Sequence, residues 1–189
     1  MQLNARSTRG FTIIEVLMVV IIIGIVAAFA VPKINLGQYR INGAVRSVNG
    51  LLTRAQRMAV TNQFNTNVIF DVPNNMVRVH EDDNNDNVAD PNERVRQYPI
   101  GENVEYGLGG APVRTYGPGP VTFTRTQGAQ PVVIFRRDGS ASENGAVYLT
   151  TLNSVATGRV TDARLIEVVV ATGRTSWFRY TGAQWERKY

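Results

Sequence analysis

Apolar side chains fill nearly every position from Phe11 to Val31, and Glu15 is the single charged residue among them. A helix rising about 1.5 Å per residue spans roughly 30 Å over such a block, which is the thickness of a bilayer's hydrocarbon core. The pattern therefore predicts a transmembrane helix over Phe11–Val31. A carboxylate inside such a helix costs a few kcal/mol or more, so we expect Glu15 to have a partner and a function.

A helical period continues after Pro32, up to about Asn62. One apolar stripe recurs at steps of three and four residues, which predicts an amphipathic helix over residues 32–62 that packs on a globular domain. Pro32 lacks a backbone donor and is expected to kink or loosen the junction of the two halves of one long helix. The stripe comprises Ile41, Val45, Val48, Leu52, Ala55 and Ala59.

From residue 63 onward the pattern changes to short β-type runs separated by turns. The glycines and prolines of Gly107–Pro120 predict a surface loop. The fold class is therefore α+β: a long N-terminal helix, transmembrane and then amphipathic, packed on a C-terminal antiparallel β-sheet or sandwich domain over residues 63–189. The predicted strands are Asn67–Val72, Met76–His80, Arg94–Tyr98, Val121–Thr126, Val132–Arg136, Ala146–Thr150, Leu165–Ala171 and Ser176–Tyr180.

The amino-acid composition excludes several kinds of catalytic and metal-binding site. The 189 residues include no cysteine and a single histidine, His80, which excludes thiol catalysis and zinc–thiolate sites and argues against a Ser-His-Asp triad. We therefore expect no enzymatic activity and no required cofactor, and we interpret His80 as an ordinary strand residue. The net charge of +5 permits contact with anionic lipid or nucleic acid without demonstrating either.

An acidic segment between two predicted strands has the spacing of a calcium loop. Oxygen-bearing residues occupy loop positions one, three, five, nine and twelve, a backbone carbonyl would serve at position seven, and Ca²⁺ takes six to eight such oxygens. Asn87 stands at position six, where glycine is usual. The alternative is a solvated turn without metal, partly neutralised by Arg94 and Arg96. The candidate ligands are Asp82, Asn84, Asp86, Val88, Asp90 and Glu93.

The C-terminus interleaves arginines with aromatic residues. Such a pattern can bind phosphates while it stacks bases, so Arg174, Trp177 and Arg179 are candidate nucleic-acid contacts. The alternative interpretation is a final hairpin, residues 174–180 followed by residues 184–187. In that hairpin Trp177 and Arg179 share one face of the strand.

The run from Arg9 to Leu17, RGFTIIEVL, resembles the prepilin processing site of type IV pilins and type II secretion pseudopilins. The resemblance implies that the family's prepilin peptidase removes a basic leader, residues 1–10, by cutting after Gly10. The same enzyme would then methylate the new amino group of Phe11. Two alternatives are a secretory signal peptide with a cleavage site at Ala28-Phe29-Ala30 and a plain membrane anchor.

The globular half is similar to the GspH/FimT-type minor pseudopilins, in FRRDGS at residues 135–140, GAVYL at 145–149 and IEVVVATGR at 166–174. The resemblance implies a subunit that is inserted in the bacterial inner membrane with a periplasmic domain, then packed by its helix against other pilins in a pilus or pseudopilus. Glu15 would neutralise the methylated amine of a neighbouring subunit, and the stretch from Gly24 to Pro32 would partly unwind. A DNA-binding minor pilin is the alternative, although Ser176 interrupts the Gly-Arg-x-Arg motif of such members.

Overall fold

The computed structural model describes residues 10–30 and 36–188. The chain divides into two compact units, Met1–Leu36 and Gly37–Tyr189. The leader residues 1–9, with Arg6 and Arg9, lie outside the described residues, as does the predicted kink at Pro32. The continuity of one helix from Phe11 to Asn62 therefore stays a prediction.

The first unit contains one apolar helix, α1, at Ile13–Ala30. Its aliphatic side chains are exposed, from 90% at Ile13 to 49% at Val19. The helix begins two residues later than predicted, and Val31 lies outside the described residues. Among the residues that the structure describes, no helix has the length and apolarity that crossing a membrane requires, so the spanning helix predicted at Phe11–Val31 is not found there.

The second unit begins in helix α2, Leu36–Asn62, which lays its predicted apolar stripe on two β-sheets. All six predicted stripe residues are buried, and Ala44 joins them. These side chains recur every three or four positions because that spacing keeps them on one face of a 3.6-residue helix. The stripe prediction is therefore confirmed.

Both sheets have five strands and every pairing is antiparallel. One has the order β3-β2-β1-β6-β5 and the other β10-β9-β8-β7-β4. The α+β fold predicted from the sequence is thus confirmed. The strands are β1 Asn65–Asp71, β2 Met76–Asp82, β3 Arg94–Pro99, β4 Val104–Tyr106, β5 Thr126–Gln127, β6 Gln130–Phe135, β7 Gly145–Thr151, β8 Arg164–Val168, β9 Thr175–Tyr180 and β10 Trp185–Lys188.

One hydrophobic core joins α2 to both sheets. Val68 and Phe70 of β1 contribute to it together with Val147 and Leu149 of β7, while Ile69 packs in a separate apolar cluster. This alternation follows from the period of two along a strand. Phe70 and Phe123 stack at the centre of the core, with ring centroids 5.4 Å apart. The core therefore holds the helix and the two sheets together as one unit.

Two strand predictions differ most from the structure in their extent, while the others agree to within two residues at each end. Predicted strand Val121–Thr126 is mostly irregular, because the Glu143 carboxylate accepts from the backbone N–H groups of Thr124 and Arg125, both at 3.0 Å. A side chain thus replaces a partner strand there. The predicted strand Leu165–Ala171 ends at Val168, because the chain turns back through Gly173, whose φ is +58°.

Strand β4 and helix α3 are among the elements that were not predicted. Strand β4 has only three residues, too few to show a period. Helix α3, Leu152–Thr157, starts at Thr151, whose hydroxyl accepts from the Ser154 N–H, and ends at Gly158 in the left-handed conformation. The Thr and Gly that flank α3 are ordinary capping residues, so this signal was available in the sequence.

The dependence of the second unit on the α2 stripe can be measured at Leu52, which is fully buried. We expect Leu52→Ala to lower the free energy of unfolding by about 2–5 kcal/mol, because the substitution removes apolar contacts and leaves a cavity. Chemical denaturation followed by circular dichroism measures the change. Ser47→Ala, at an exposed position of the same helix, should change the stability by less than about 0.5 kcal/mol. Equal effects of the two substitutions would contradict the proposed role of the stripe.

Candidate functional site

The start of α1 is a capped helix terminus. Thr12 precedes the first helical residue, and its hydroxyl accepts from the Glu15 N–H at 3.3 Å. This is one half of a capping box, in which Thr and Glu stand three positions apart. The Thr-x-x-Glu spacing was visible in the sequence, and it places Glu15 in the first helical turn, near the positive end of the helix dipole.

Glu15 is exposed and has no ion-pair partner among the described residues. Phe11 is also exposed, with 81% of its surface accessible. Farther along α1, a side chain added at Gly24 would meet no atom within 4 Å. The predicted processing and assembly residues therefore lie on an accessible segment, with Pro32 outside the described part of the chain.

The acidic loop folds around its first carboxylate. Asp82, at the end of β2, is buried, and its two oxygens accept from the N–H groups of Asp86 at 3.1 Å and Asn87 at 3.0 Å. Burial raises the pKa of Asp82, while these hydrogen bonds oppose that change. Asn87 has a φ of +64°, so it takes the left-handed conformation for which glycine is preferred at position six. The predicted turn is thus formed by asparagine.

At the other end of the loop Glu93 is buried beside His80, with 2.7 Å between its Oε2 and the His80 Nε2. Glu93 also accepts from the Asp90 N–H at 3.0 Å and the Asp83 N–H at 3.1 Å. The Asp90 N–H is the main cause that lowers the pKa of Glu93 to about 2, and the His80 ring adds to it. His80 is a strand residue as predicted, yet it also binds the loop, which sequence reasoning missed.

The loop brings only some of its predicted ligands together. Asn84 donates its side-chain amide to Asp86 at 3.0 Å and to Asp90 at 3.1 Å, whereas Val88 donates its N–H to Asp86. Within the described residues, no three His, Asp or Glu side chains are grouped closely enough to hold a metal ion. Asn84 would have to turn its oxygen inward, and Glu93 would have to leave His80, before six oxygens could surround a cation. Calcium binding therefore stays a prediction.

The C-terminal hairpin forms as the second interpretation expects, with β9 and β10 joined at Thr181–Gln184. Trp177 is 8% exposed in the main core, with the Arg46 guanidinium 5.9 Å from its ring centroid. The structure therefore does not support Trp177 as a base-stacking residue, because its ring is enclosed. Arg174 is exposed and Arg179 is half-buried, so a phosphate contact at these two residues stays a prediction.

A buried polar cluster, which sequence reasoning also missed, lies where α2 meets the second sheet. Arg164 is fully buried and donates to Asn42 Oδ1 at 2.9 Å, Gln38 Oε1 at 2.6 Å and the Thr161 carbonyl at 3.0 Å. Burial, reinforced by neighbouring Arg179, lowers the pKa of Arg164 to about 10. These contacts tie the first turns of α2 to the start of β8.

Comparisons with known proteins bear on the N-terminal segment. Residues 5–31 match the family described as the prokaryotic N-terminal methylation motif. No curated protein sequence matches the chain. Among solved structures, the chain is similar to the minor pseudopilin EpsH from the type 2 secretion system of Vibrio cholerae. The two are 12% identical with a TM-score of 0.46, over 77% of this chain and 99% of that one.

The matched residues include both predicted processing positions, Gly10 and Phe11, as well as Glu15. The same segment continues as the exposed apolar helix α1, and the second unit has the α+β architecture that the resemblance implied. Residues 5–31 therefore carry the prokaryotic N-terminal methylation motif, at the place where the sequence resemblance put a processing site.

Proposed function

We propose that this protein is a minor pseudopilin or minor pilin of the GspH/FimT type. It acts as a structural subunit of a type II secretion pseudopilus or a type IV pilus, in protein secretion or pilus assembly. The observation that carries the proposal is the N-terminal methylation motif at residues 5–31, which contains a helix, α1, whose apolar side chains are exposed. Before assembly the N-terminal segment holds the precursor in the inner membrane, with the globular unit in the periplasm.

The exposure of α1 supports an assembly role. Apolar surface in water is unfavourable by roughly 25 cal/mol per Å², and contiguous exposed patches mark sites of protein or membrane contact. More than ten aliphatic side chains of α1 are about half exposed or more. Such a surface requires lipid or the helices of other subunits around it. The function is therefore inferred to be structural rather than catalytic.

Glu15 supplies the polar contact of this assembly. Cleavage after Gly10 creates an amino group on Phe11, four residues before Glu15 in the sequence. An unpaired charge inside an apolar bundle costs several kcal/mol, so a carboxylate of one subunit and an amine of another stabilise the bundle only in the register that pairs them. The pair thus sets the axial position of each incoming subunit.

Processing is tested by mass spectrometry of the protein purified from its native membrane. We expect the mature N-terminus to be Phe11 with a methylated amino group, because the motif places the cleavage site after Gly10. A mature terminus at Val31 would instead show that a signal peptidase had cut after Ala30. Gly10→Val serves as the control variant, since it should block cleavage and retain the leader. The free amino group of Phe11 should then not form.

Assembly is tested with Glu15→Val. The variant should insert in the membrane and be processed, yet be lost from sheared filament preparations, because a neighbour's buried amine is left without a partner. Immunoblotting of the membrane and filament fractions measures the partition. Glu15→Gln should show the same defect, whereas Ile14→Val, next to it in α1, should assemble normally. Normal incorporation of both Glu15 variants would refute the pairing.

Calcium binding is tested by thermal denaturation in calcium and in chelator. A ligand at a hundredfold excess over its Kd stabilises the native state by about 2.7 kcal/mol. We therefore expect millimolar Ca²⁺ to raise the midpoint by roughly 5–10 °C for a domain of this size, if Asp82 and its neighbours converge on the ion. Mg²⁺ should do much less, because it demands a smaller octahedral site.

The loop variants separate metal binding from simple turn stability. Asp82→Ala combined with Asp86→Ala should abolish the calcium shift, while Asn87→Gly should preserve or strengthen it by easing the left-handed turn. Asp138→Ala, in the turn before β7, removes an exposed carboxylate elsewhere and should leave the shift unchanged. Equal melting in calcium and chelator would identify the loop as a turn without metal.

A further inference from the structure

One end of the globular unit exposes apolar and basic side chains together. Tyr39 in the first turn of α2 is 79% exposed, and Leu152 and Val155 on α3 are 47% and 59% exposed. Two exposed cations, Arg40 and Arg159, flank them in the chain. We call these five residues the basal surface.

Hydrogen bonds to Asp162 place these residues at the same end. Gln38, next to Tyr39, donates to the Asp162 carboxylate and to the Thr161 carbonyl at 3.2 Å. Ser154, next to Val155, donates to the same carboxylate at 2.7 Å. The first turn of α2, helix α3 and the segment after Arg159 therefore meet around one buried acid.

The same contacts occupy Asp162, which is the acid nearest to Arg159 in the sequence. Asp162 is 2% exposed and its oxygens accept from Gln38, Ser154 and Thr151, so it faces inward. Arg40 and Arg159 have no ion pair among the described residues. The basal surface therefore combines an exposed tyrosine, two aliphatic side chains and two cations that are free to meet an anionic surface.

The position of this surface along the chain indicates what it meets. Residues 31–36 are all that separates α1 from the second unit, and six residues span about 20 Å at most when fully extended. The proposed function places α1 in the membrane, so this short connection tethers the residues that open α2 to the bilayer. The far end of α2 is different: Val60 lies 21 residues beyond Tyr39, about 30 Å along the helix.

We propose that the basal surface rests on the headgroup layer of an anionic bilayer while the subunit waits in the membrane, an inference that rests on the proposed function. Tyrosine is enriched at membrane–water interfaces, where its ring lies among the headgroups and its hydroxyl reaches water. Leu152 and Val155 enter the upper acyl region as an interfacial helix does, and Arg40 and Arg159 bind lipid phosphates. The contact orients the globular unit before it is withdrawn into a filament.

The absence of native cysteine allows single-cysteine probes in the full chain. Val155→Cys and Val60→Cys are labelled with bimane and reconstituted in vesicles of phosphatidylethanolamine and phosphatidylglycerol that carry headgroup nitroxides. Both are exposed valines, so they form a matched pair. We expect strong quenching at position 155 and little at position 60. Raising the salt from about 0.05 to about 0.5 M should reduce quenching at 155, because it screens the arginines.

Substitutions of the arginines test the charge. Arg40→Gln with Arg159→Gln should remove most of the phosphatidylglycerol-dependent quenching at position 155. Arg54 and Arg57 are exposed on the later turns of α2. Replacing both with glutamine should leave the quenching at position 155 unchanged. Equal effects of the two pairs would overturn the assignment of the basal cations to lipid.

A third probe separates this inference from the proposed function. Ile21→Cys in α1 should be quenched by acyl-chain bromines if the segment lies in the bilayer. Quenching at position 21 with none at 155 would overturn the lipid contact alone. Loss of quenching at position 21 would refute the membrane-held precursor itself. Protection of position 155 only in assembled filaments would assign the basal surface to a neighbouring subunit and overturn the proposal.

Discussion

The packing of the globular unit depends on the two kinds of side chain, apolar and polar, that helix α2 presents to the two sheets. The apolar face of α2 is buried against both sheets, while a row of polar side chains beside it includes contacts to Arg164 of β8 and Thr175 of β9. Because the two rows recur at the same helical spacing, a single rotation of the helix satisfies both. The polar row consists of Gln38, Asn42, Arg46, Asn49, Thr53 and Gln56.

The polar row gives α2 a fixed axial position, which an apolar stripe alone does not. Hydrophobic contact is non-directional, whereas each hydrogen bond has one geometry. Asn42 accepts from Arg164 near one end, Thr53 meets Thr175 at 3.1 Å in the middle, and Gln56 donates to the Thr172 carbonyl at 2.6 Å near the other. A slip of one turn would leave buried polar groups unpaired, at a cost of about 1–3 kcal/mol each. The helix therefore keeps one register on the sheets.

The register of α2 also determines how the surface features of the globular unit are arranged. In the other unit, α1 exposes its apolar side chains, and Glu15 is the one charged residue within this helix. The packing of α2 on both sheets holds the acidic loop and the C-terminal hairpin at fixed positions within the globular unit. Those two features lie on different sheets, since the loop follows β2 and the hairpin is β9–β10. The packing of one helix thus fixes the positions of these two features within the globular unit.

The sequence by itself determined the features that depend on local pattern and on covalent order. The stripe of α2 follows from a period of 3.6, the strands follow from short β-type runs separated by turns, and the N-terminal motif is a contiguous run around Gly10 and Glu15. Only the tertiary structure decided which partners distant residues acquire. Glu143 accepts hydrogen bonds from backbone N–H groups of a predicted strand, Glu93 binds His80, and Trp177 is enclosed by the core. Each of these depends on how segments far apart in the chain pack, and no periodicity within one segment encodes such contacts.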